Sequence, residues 1–319
     1  MSDVDRTALT NPFTHEALLY RDIDGYLAGS LSFIRAGIAA GGAVLVAAPR
    51  ANLHRLADEI GGVRAGMCLV DMHDEGCHPG RVVPWLVQAF VDAHPARAAR
   101  VVCEQMWPGR PPDEYPGCVQ QEALLNAVFS GRDARILCPY DVANLEPHVI
   151  ADAATTHPTV IDGSDRRVSE HYGDPHAVVE AFNLPLPDLG PPEVSMRFDA
   201  AAVSSVRRLV ALHAAYAGMA PERATELHTA VNEVATNAVV HGGGAGTFAI
   251  YRGRDRLICE IRDAGRITDP LVGRIPAQRG ARLGRGLLLV HRVCDLVQTH
   301  VNDTGTTTRL HMRLGRAAT

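Results

Sequence analysis

Lysine is absent from this chain of 319 residues: all 31 of its basic residues are arginines. That excludes a Walker A phosphate-binding lysine, a Schiff-base lysine and a lysine general base. Aromatic residues make up only 5%, so Leu, Val, Ile and Ala must fill the cores. No apolar run is long enough to cross a bilayer, and the first residues, MSDVDRTALT, lack a signal-peptide pattern. A cytoplasmic location without a membrane partner is therefore expected. The seven cysteines are scattered and form no CxxC pair, which favours reduced thiols over a disulfide framework. Nothing reads as a DNA-binding helix or a basic tail, so nucleic acid is not an expected partner.

What is present suits two domains, as the length also suggests. The stretch FNLPLPDLGPPEV, Phe182–Val194, carries four prolines and a glycine among few residues, which disfavours both helix and strand. It divides the sequence into residues 1–182, a linker at 183–192, and residues 193–319. Charge is divided too. From Pro192 onward 17 arginines face 11 acids, against 14 and 25 in the remainder. A basic C-terminal part suits a polyphosphate or an acidic partner, and equally suits simple complementarity between the halves.

Strand and helix patterns alternate in the N-terminal part. IDGYLAGSLSFIRAGIAAG has helical apolar spacing; AVLVAA, MCLVDM, ARVVCEQM and ARILCPYD read as short buried strands; ANLHRLADEIG, PWLVQAFVDAH and VQQEALLNAVFSG read as helices. Such alternation implies a mainly parallel sheet flanked by helices. The turn after AVLVAA has neither glycines nor a Lys-Ser/Thr pair, so the backbone cradle of a P-loop is missing. His73, Cys77 and His78 lie close together in DMHDEGCHPG. Adjacent Cys and His rarely share one tetrahedral ion, and a polar loop near a ligand mouth is the preferred reading. HEALLYRD, FIRAGIAAGGAVLVAA, VVCEQMW and EALLNAVFSGRDARILCPYD together resemble the MEDS sensory domain, which is itself thought similar to RecA/KaiC-like ATPases. The resemblance spans most of residues 14–180. It implies sensing of an unknown small molecule or other signal.

The C-terminal part carries the chemistry. In LHTAVNEVATNAVVHGGG, Leu227, Ala230, Val231, Val234 and Ala238 recur at helical spacing. Glu233, Asn237 and His241 form a stripe beside that apolar face, drifting about 40° per step. DRLICEIRDAGRI reads as a strand with Leu257, Cys259 and Ile261 on one face, ending in Asp263-Ala264-Gly265. In LGRGLLLVHRVCDLV, Gly284 and Gly286 open a helix expected to run apolar through Leu296, and a glycine-flanked helix start favours phosphate. GTTTRLHMRL reads as a final alternating strand entered through Gly305 and threonine hydroxyls.

In this order the segments resemble the Bergerat, or GHKL, ATP-binding fold, a two-layer α/β sandwich with an ExxxN box followed by DxGxG and GxGL boxes. The resemblance spans residues 193–315. It implies ATP and Mg2+ as cofactors, with Asn237 giving its oxygen to Mg2+, a hard ion that prefers oxygen. Glu233 becomes the catalytic base or water-orienting group, Asp263 reads adenine, and Gly265 admits the flat ring. His241, Gly284, Gly286, Leu287 and Thr307 complete the nucleotide contacts, with Arg282 and Arg285 clamping phosphate beside Arg274 and Arg279. Solvated loop arginines are an equal alternative. The pattern departs from the family at Arg266, where a glycine is expected, which bears on turnover more than on binding.

Within that family, the chain lacks the lysine and further domains of gyrase-like ATPases, and lacks room before Glu233 for a histidine kinase's two-helix hairpin. It resembles the anti-sigma-factor type instead, which binds a sigma factor and phosphorylates serine or threonine of an anti-anti-sigma (STAS-type) partner. A homodimer is compatible with this family. Three alternatives remain: a non-catalytic ATP-responsive binding protein, a histidine-kinase-like sensor, and a small-molecule sensor with an inactive ATP site. Asn237→Ala is expected to abolish Mg-ATP binding in calorimetry, and an unchanged affinity would refute the metal role.

Overall fold

The computed structural model describes residues 12–73, 78–275 and 284–315. The chain divides into two compact units between Phe182 and Asn183.

The first unit is built on a seven-stranded sheet in the order β3-β2-β4-β5-β1-β6-β7. Strands β1 (Thr14–Tyr20), β2 (Ala43–Ala48), β3 (Met67–Asp71), β4 (Ala99–Cys103), β5 (Ala134–Asp141) and β6 (Thr159–Asp162) run parallel, while β7 (Asp165–Val168) is antiparallel to β6. Every residue of β2 is buried, as expected of a parallel strand covered on both faces. Helix α1 (Ile23–Ala39) begins at Asp22, whose carboxylate accepts from the Gly25 N–H, an N-cap that satisfies an otherwise orphaned donor. Helix α2 (Arg50–Ile60) ends at left-handed Gly61. The stretch containing PWLVQAFVDAH is helical but irregular: Val82–Gln88 forms a π-helical segment ahead of Ala89–Ala93. Pro84 within it lacks the N–H that a regular turn needs. Helices α3 (Tyr115–Phe129), α4 (Pro147–Thr156) and α5 (Pro175–Ala181) follow.

The second unit is a two-layer sandwich. An antiparallel sheet in the order β11-β12-β10-β9-β8 packs on three helices. Its strands are β8 (Val194–Asp199), β9 (Ala245–Arg252), β10 (Arg256–Asp263), β11 (Leu296–Asn302) and β12 (Gly305–Arg313); its helices are α6 (Val203–Tyr216), α7 (Pro221–His241) and α8 (Arg285–Val293). Phe198, Val210, Leu227, Val231, Ile250, Cys259 and Leu310 belong to its core. The expected helix through Leu296 stops earlier. Cys294 turns to extended backbone and Leu296 opens β11, its side chain buried on that strand.

The outer face of this sheet holds a buried ion pair. Glu260 on β10 pairs with Arg309 on β12 at 2.5 Å, and both side chains are almost wholly buried. Arg309 also donates to the Pro187 carbonyl, and Arg262 donates to the other Glu260 oxygen at 2.7 Å. The proline-rich segment is thus tied to this sheet. Its first residue, Asn183, bonds the backbone of Val301 with both side-chain atoms.

Removing one partner of a buried pair leaves the other charge uncompensated. Arg309→Met should therefore destabilise the second unit by about 3 kcal/mol, measured by urea unfolding; a loss under about 0.5 kcal/mol would mean that Arg262 alone neutralises Glu260.

Candidate functional site

Helix α7 carries Glu233, Asn237 and His241 along one stripe, and all three line a cavity of about 470 Å3, a volume usual for a small-molecule site. Among the described residues, no group hydrogen-bonds the Glu233 carboxylate or the Asn237 carboxamide. Their oxygens are open to whatever enters.

The far wall is set by strand register. On β10, Leu257, Cys259, Ile261 and Asp263 share the face that looks toward the helices. The ladder pairs Ile261 with Thr308 and Asp263 with Thr306, so these threonines line the cavity beside Asp263 and Gly265. Thr307 does not. It pairs with Arg262 on the opposite face, because successive side chains of a strand alternate. The expectation for Thr307 is corrected to Thr306 and Thr308.

Close backbone contacts explain the glycines. A Cβ on Gly242 would overlap the Ala238 carbonyl and the Asp263 carboxylate, and one on Gly265 would stand 2.6 Å from the His241 carbonyl. A Cβ on Gly305 would collide with the Asp263 carbonyl. The end of α7, the end of β10 and the start of β12 therefore meet almost backbone to backbone. Two hydrogen bonds fasten the junction: Ala264 N–H to the Gly242 carbonyl at 3.1 Å, and the Thr306 hydroxyl to the Gly265 carbonyl at 2.7 Å. The Asp263 Oδ1 accepts from the Gly265 N–H at 2.8 Å. Half-burial raises the Asp263 carboxyl above its ordinary range, and only the Gly265 N–H acts against that.

The third wall is the start of α8. Gly284 is its N-cap in the left-handed region (φ 91°), and among the described residues no side chain caps the first amides, which a helix start leaves without intrahelical partners. Gly286 lies against Glu233: a Cβ there would come 2.5 Å from its Oε2. Gly284, Gly286 and Leu287 line the cavity. Arg285 is exposed on the first helical residue and does not, because the helix turns its side chain away from the wall that its neighbours form. Arg279 and Arg282 lie outside the described residues. Arg274 sits in the turn where Gly273 packs on Leu287, and burial pushes its guanidinium down to about 10.

Arg266 also borders the cavity, with Ile267, Thr268 and Asp269, none of which was expected. Its guanidinium reaches outward to the highly exposed Asp303 at 3.0 Å. Thr306 and Thr308 were legible in principle from the register of β12 with β10, whereas residues 266–269 follow no periodicity.

In the first unit, the turn after β2 holds no glycine. Pro49 precedes α2 without a side-chain cap, and Asn52 of the first turn bonds Glu104 at 3.0 Å. Tyr20 and Tyr26 also donate to Glu104, and burial raises that carboxyl to about 7. The His73 ring packs on Trp107, His78 accepts from the Gly80 N–H as a helix cap, and Cys77 lies outside the described residues.

Residues 14–158 match the family model of the MEDS domain, the methanogen/methylotroph, DcmR sensory domain. Residues 196–312 match the histidine kinase-like ATPase domain. The chain thus carries a MEDS domain followed by a histidine kinase-like ATPase domain. No curated protein matches it. Among solved structures, a chain of the SiaB–SiaC complex from Pseudomonas aeruginosa is 15% identical, with a TM-score of 0.32, over 38% of this chain and 89% of that one. Among the described residues no helix is long and apolar enough to cross a membrane.

Gly265→Ala should cost the second unit about 1–3 kcal/mol in chemical unfolding, because the crowded atoms are backbone. Arg266→Ala, which breaks an exposed pair, should cost less than about 1 kcal/mol; a larger effect would show that Arg266 holds the junction.

Proposed function

We propose that the second unit binds Mg-ATP in this cavity and that the chain is a partner-switching regulator of the anti-sigma type. It phosphorylates a serine or threonine of an anti-anti-sigma (STAS-type) protein and binds a sigma factor, while the MEDS domain senses a signal. One observation carries the reading: an open carboxamide, an open carboxylate, a half-buried aspartate and a glycine-opened helix without a side-chain cap, drawn from separate segments, converge on a single cavity.

The residues fit the groups assigned to them. Asn237 would hold Mg2+ through its side-chain oxygen. The α8 amides would take the phosphates, as helix N-termini do. Asp263, with one oxygen taken by the Gly265 N–H, keeps the other to accept from the adenine amino group. Glu233 stands where it can orient a hydroxyl and take its proton, and phosphoryl transfer asks for little more than alignment and charge neutralisation.

The segment ahead of α7 argues against a histidine kinase. β8 pairs with β9 and α6 contributes Val206, Val210 and Ala214 to the core, so neither element forms a dimerisation hairpin. His213 bonds Glu193. The rival reading, a non-catalytic ATP-responsive binder, draws on Arg266 alone, which stands where the family pattern has a glycine.

At about 100 times its Kd, Mg-ATP should stabilise the second unit by about 2.7 kcal/mol, seen as a raised Tm that Mg-GTP does not match and Asp263→Ala abolishes. Equal shifts with both nucleotides would refute the adenine role. With radiolabelled ATP, label on a partner serine or threonine supports the kinase, label on this chain's histidine refutes it, and a thermal shift without any transfer selects the rival.

A further inference from the structure

Four side chains that could ligate a metal meet inside the first unit, remote in sequence from one another and unrelated to the ATP cavity. His15 comes from β1, Glu122 from α3, Cys138 from β5, and His157 follows the end of α4. All four are almost wholly buried. Parallel pairing sets Ala17 beside Cys138, so His15, two residues earlier, lies on the same face of the sheet as the thiol. Helix α3 covers that face and brings Glu122 with it.

The hydrogen-bond inventory at the centre does not balance. Asn126 donates its amide to the Thr156 carbonyl at 2.8 Å, so its oxygen faces His15 Nδ1 at 3.1 Å and must accept from it. His157 Nδ1 lies 2.8 Å from the Ala153 carbonyl, which can only accept, and 2.9 Å from the Thr156 hydroxyl, whose own proton goes to the Asp152 carbonyl. Both imidazoles therefore carry a proton on Nδ1, and each ring in its neutral form presents a bare Nε2 to the middle. Glu122 adds a carboxylate oxygen there. The Cys138 thiol is the lone donor facing three acceptors, and His157 Nε2 has no hydrogen-bond partner.

Four of the six distances among the ligand atoms match a different occupant. His15 Nε2 lies 3.1 Å from Glu122 Oε2 and 3.4 Å from Cys138 Sγ. Glu122 Oε2 lies 3.3 Å from both Cys138 Sγ and His157 Nε2. The four ligand atoms lie within 4.8 Å of one another. In a tetrahedral zinc site, bonds of about 2.0–2.3 Å put ligands about 3.3–3.5 Å apart. Outer partners that fix each imidazole through Nδ1, here Asn126 and the Ala153 carbonyl, are the usual second layer of such a site.

We propose that His15 Nε2, Glu122 Oε2, Cys138 Sγ and His157 Nε2 form a closed four-ligand site for one divalent metal ion of the zinc class. On binding, the Cys138 thiol releases its proton to solvent and the thiolate bonds the metal. The carboxylate and thiolate then neutralise the ion, which removes the buried charge. A set with four protein ligands leaves no position for substrate, so the site is structural or a sensing element and not a catalytic one.

The test uses the full chain, purified under reducing conditions without chelator. Elemental analysis should find about one zinc per chain. After stripping, Co2+ should produce tetrahedral visible bands and a thiolate charge-transfer band in the near ultraviolet, both lost on adding Zn2+. Cys68→Ser, which changes an exposed thiol, should keep the charge-transfer band; Cys138→Ser should lose it while retaining the far-ultraviolet circular dichroism of the parent. Asn126→Ala should weaken Zn2+ binding about 10–100-fold, as loss of an orienting partner does. A stripped wild-type chain that gives neither a cobalt spectrum nor calorimetric zinc binding overturns the proposal, whatever the variants do. So does a charge-transfer band that survives Cys138→Ser.

Discussion

Three stretches of backbone pass within contact distance of one another where α7, β10 and β12 meet, and the cavity of the second unit depends on that crowding. Gly242, Gly265 and Gly305 remove the side chains that would hold them apart. Once the segments are this close, the Asp263 carboxylate has no freedom to swing. It is held by the Gly265 N–H on one side and faces the cavity on the other. Gly242, the first glycine after the ExxxN stripe, is therefore not a loose tether. It lets a helix end press against a strand end, and the distance between Asn237 and Asp263 follows from that.

Lysine's absence shapes the charge architecture in a related way. Arginine's planar fork can serve several acceptors at once, and Arg309 does so between Glu260 and the Pro187 carbonyl, while Arg223 joins Glu226, Asp295 and the Val293 carbonyl. Two such hubs tie the outer sheet face and the base of α8 to segments distant in sequence. A point charge on a flexible stem would not fix those geometries as firmly.

Much of the second unit was legible in the sequence because its periods are clean. The apolar spacing of α7 and the alternation of Leu257, Cys259, Ile261 and Asp263 each set a face; the apolar residues of those faces meet in the core, while Asn237 and Asp263 line the cavity. Register was harder to read. Thr306, Thr307 and Thr308 are equivalent until the pairing of β12 with β10 assigns their sides, and the early end of α8 turns on Cys294 adopting extended backbone within an apolar run. In the first unit, β1 escaped a pattern reading because it is paired on both sides and buried on both faces, with His15 and Glu16 interrupting its apolar character. The cluster of His15, Glu122, Cys138 and His157 leaves no spacing signature at all. Its members come together only when α3 and the end of α4 pack on the sheet.

The clasp of Asn183 on Val301 has a bearing on self-association. β11 is an outermost strand, and such strands offer unpaired amides and carbonyls on which a further chain can build. One carboxamide already engages both polar backbone atoms of Val301, at 2.7 and 2.9 Å, and the Asn183 carbonyl lies 3.0 Å from the ring of His300. At this point of the sheet, a neighbouring molecule would have to displace the chain's own segment before it could add a ladder rung.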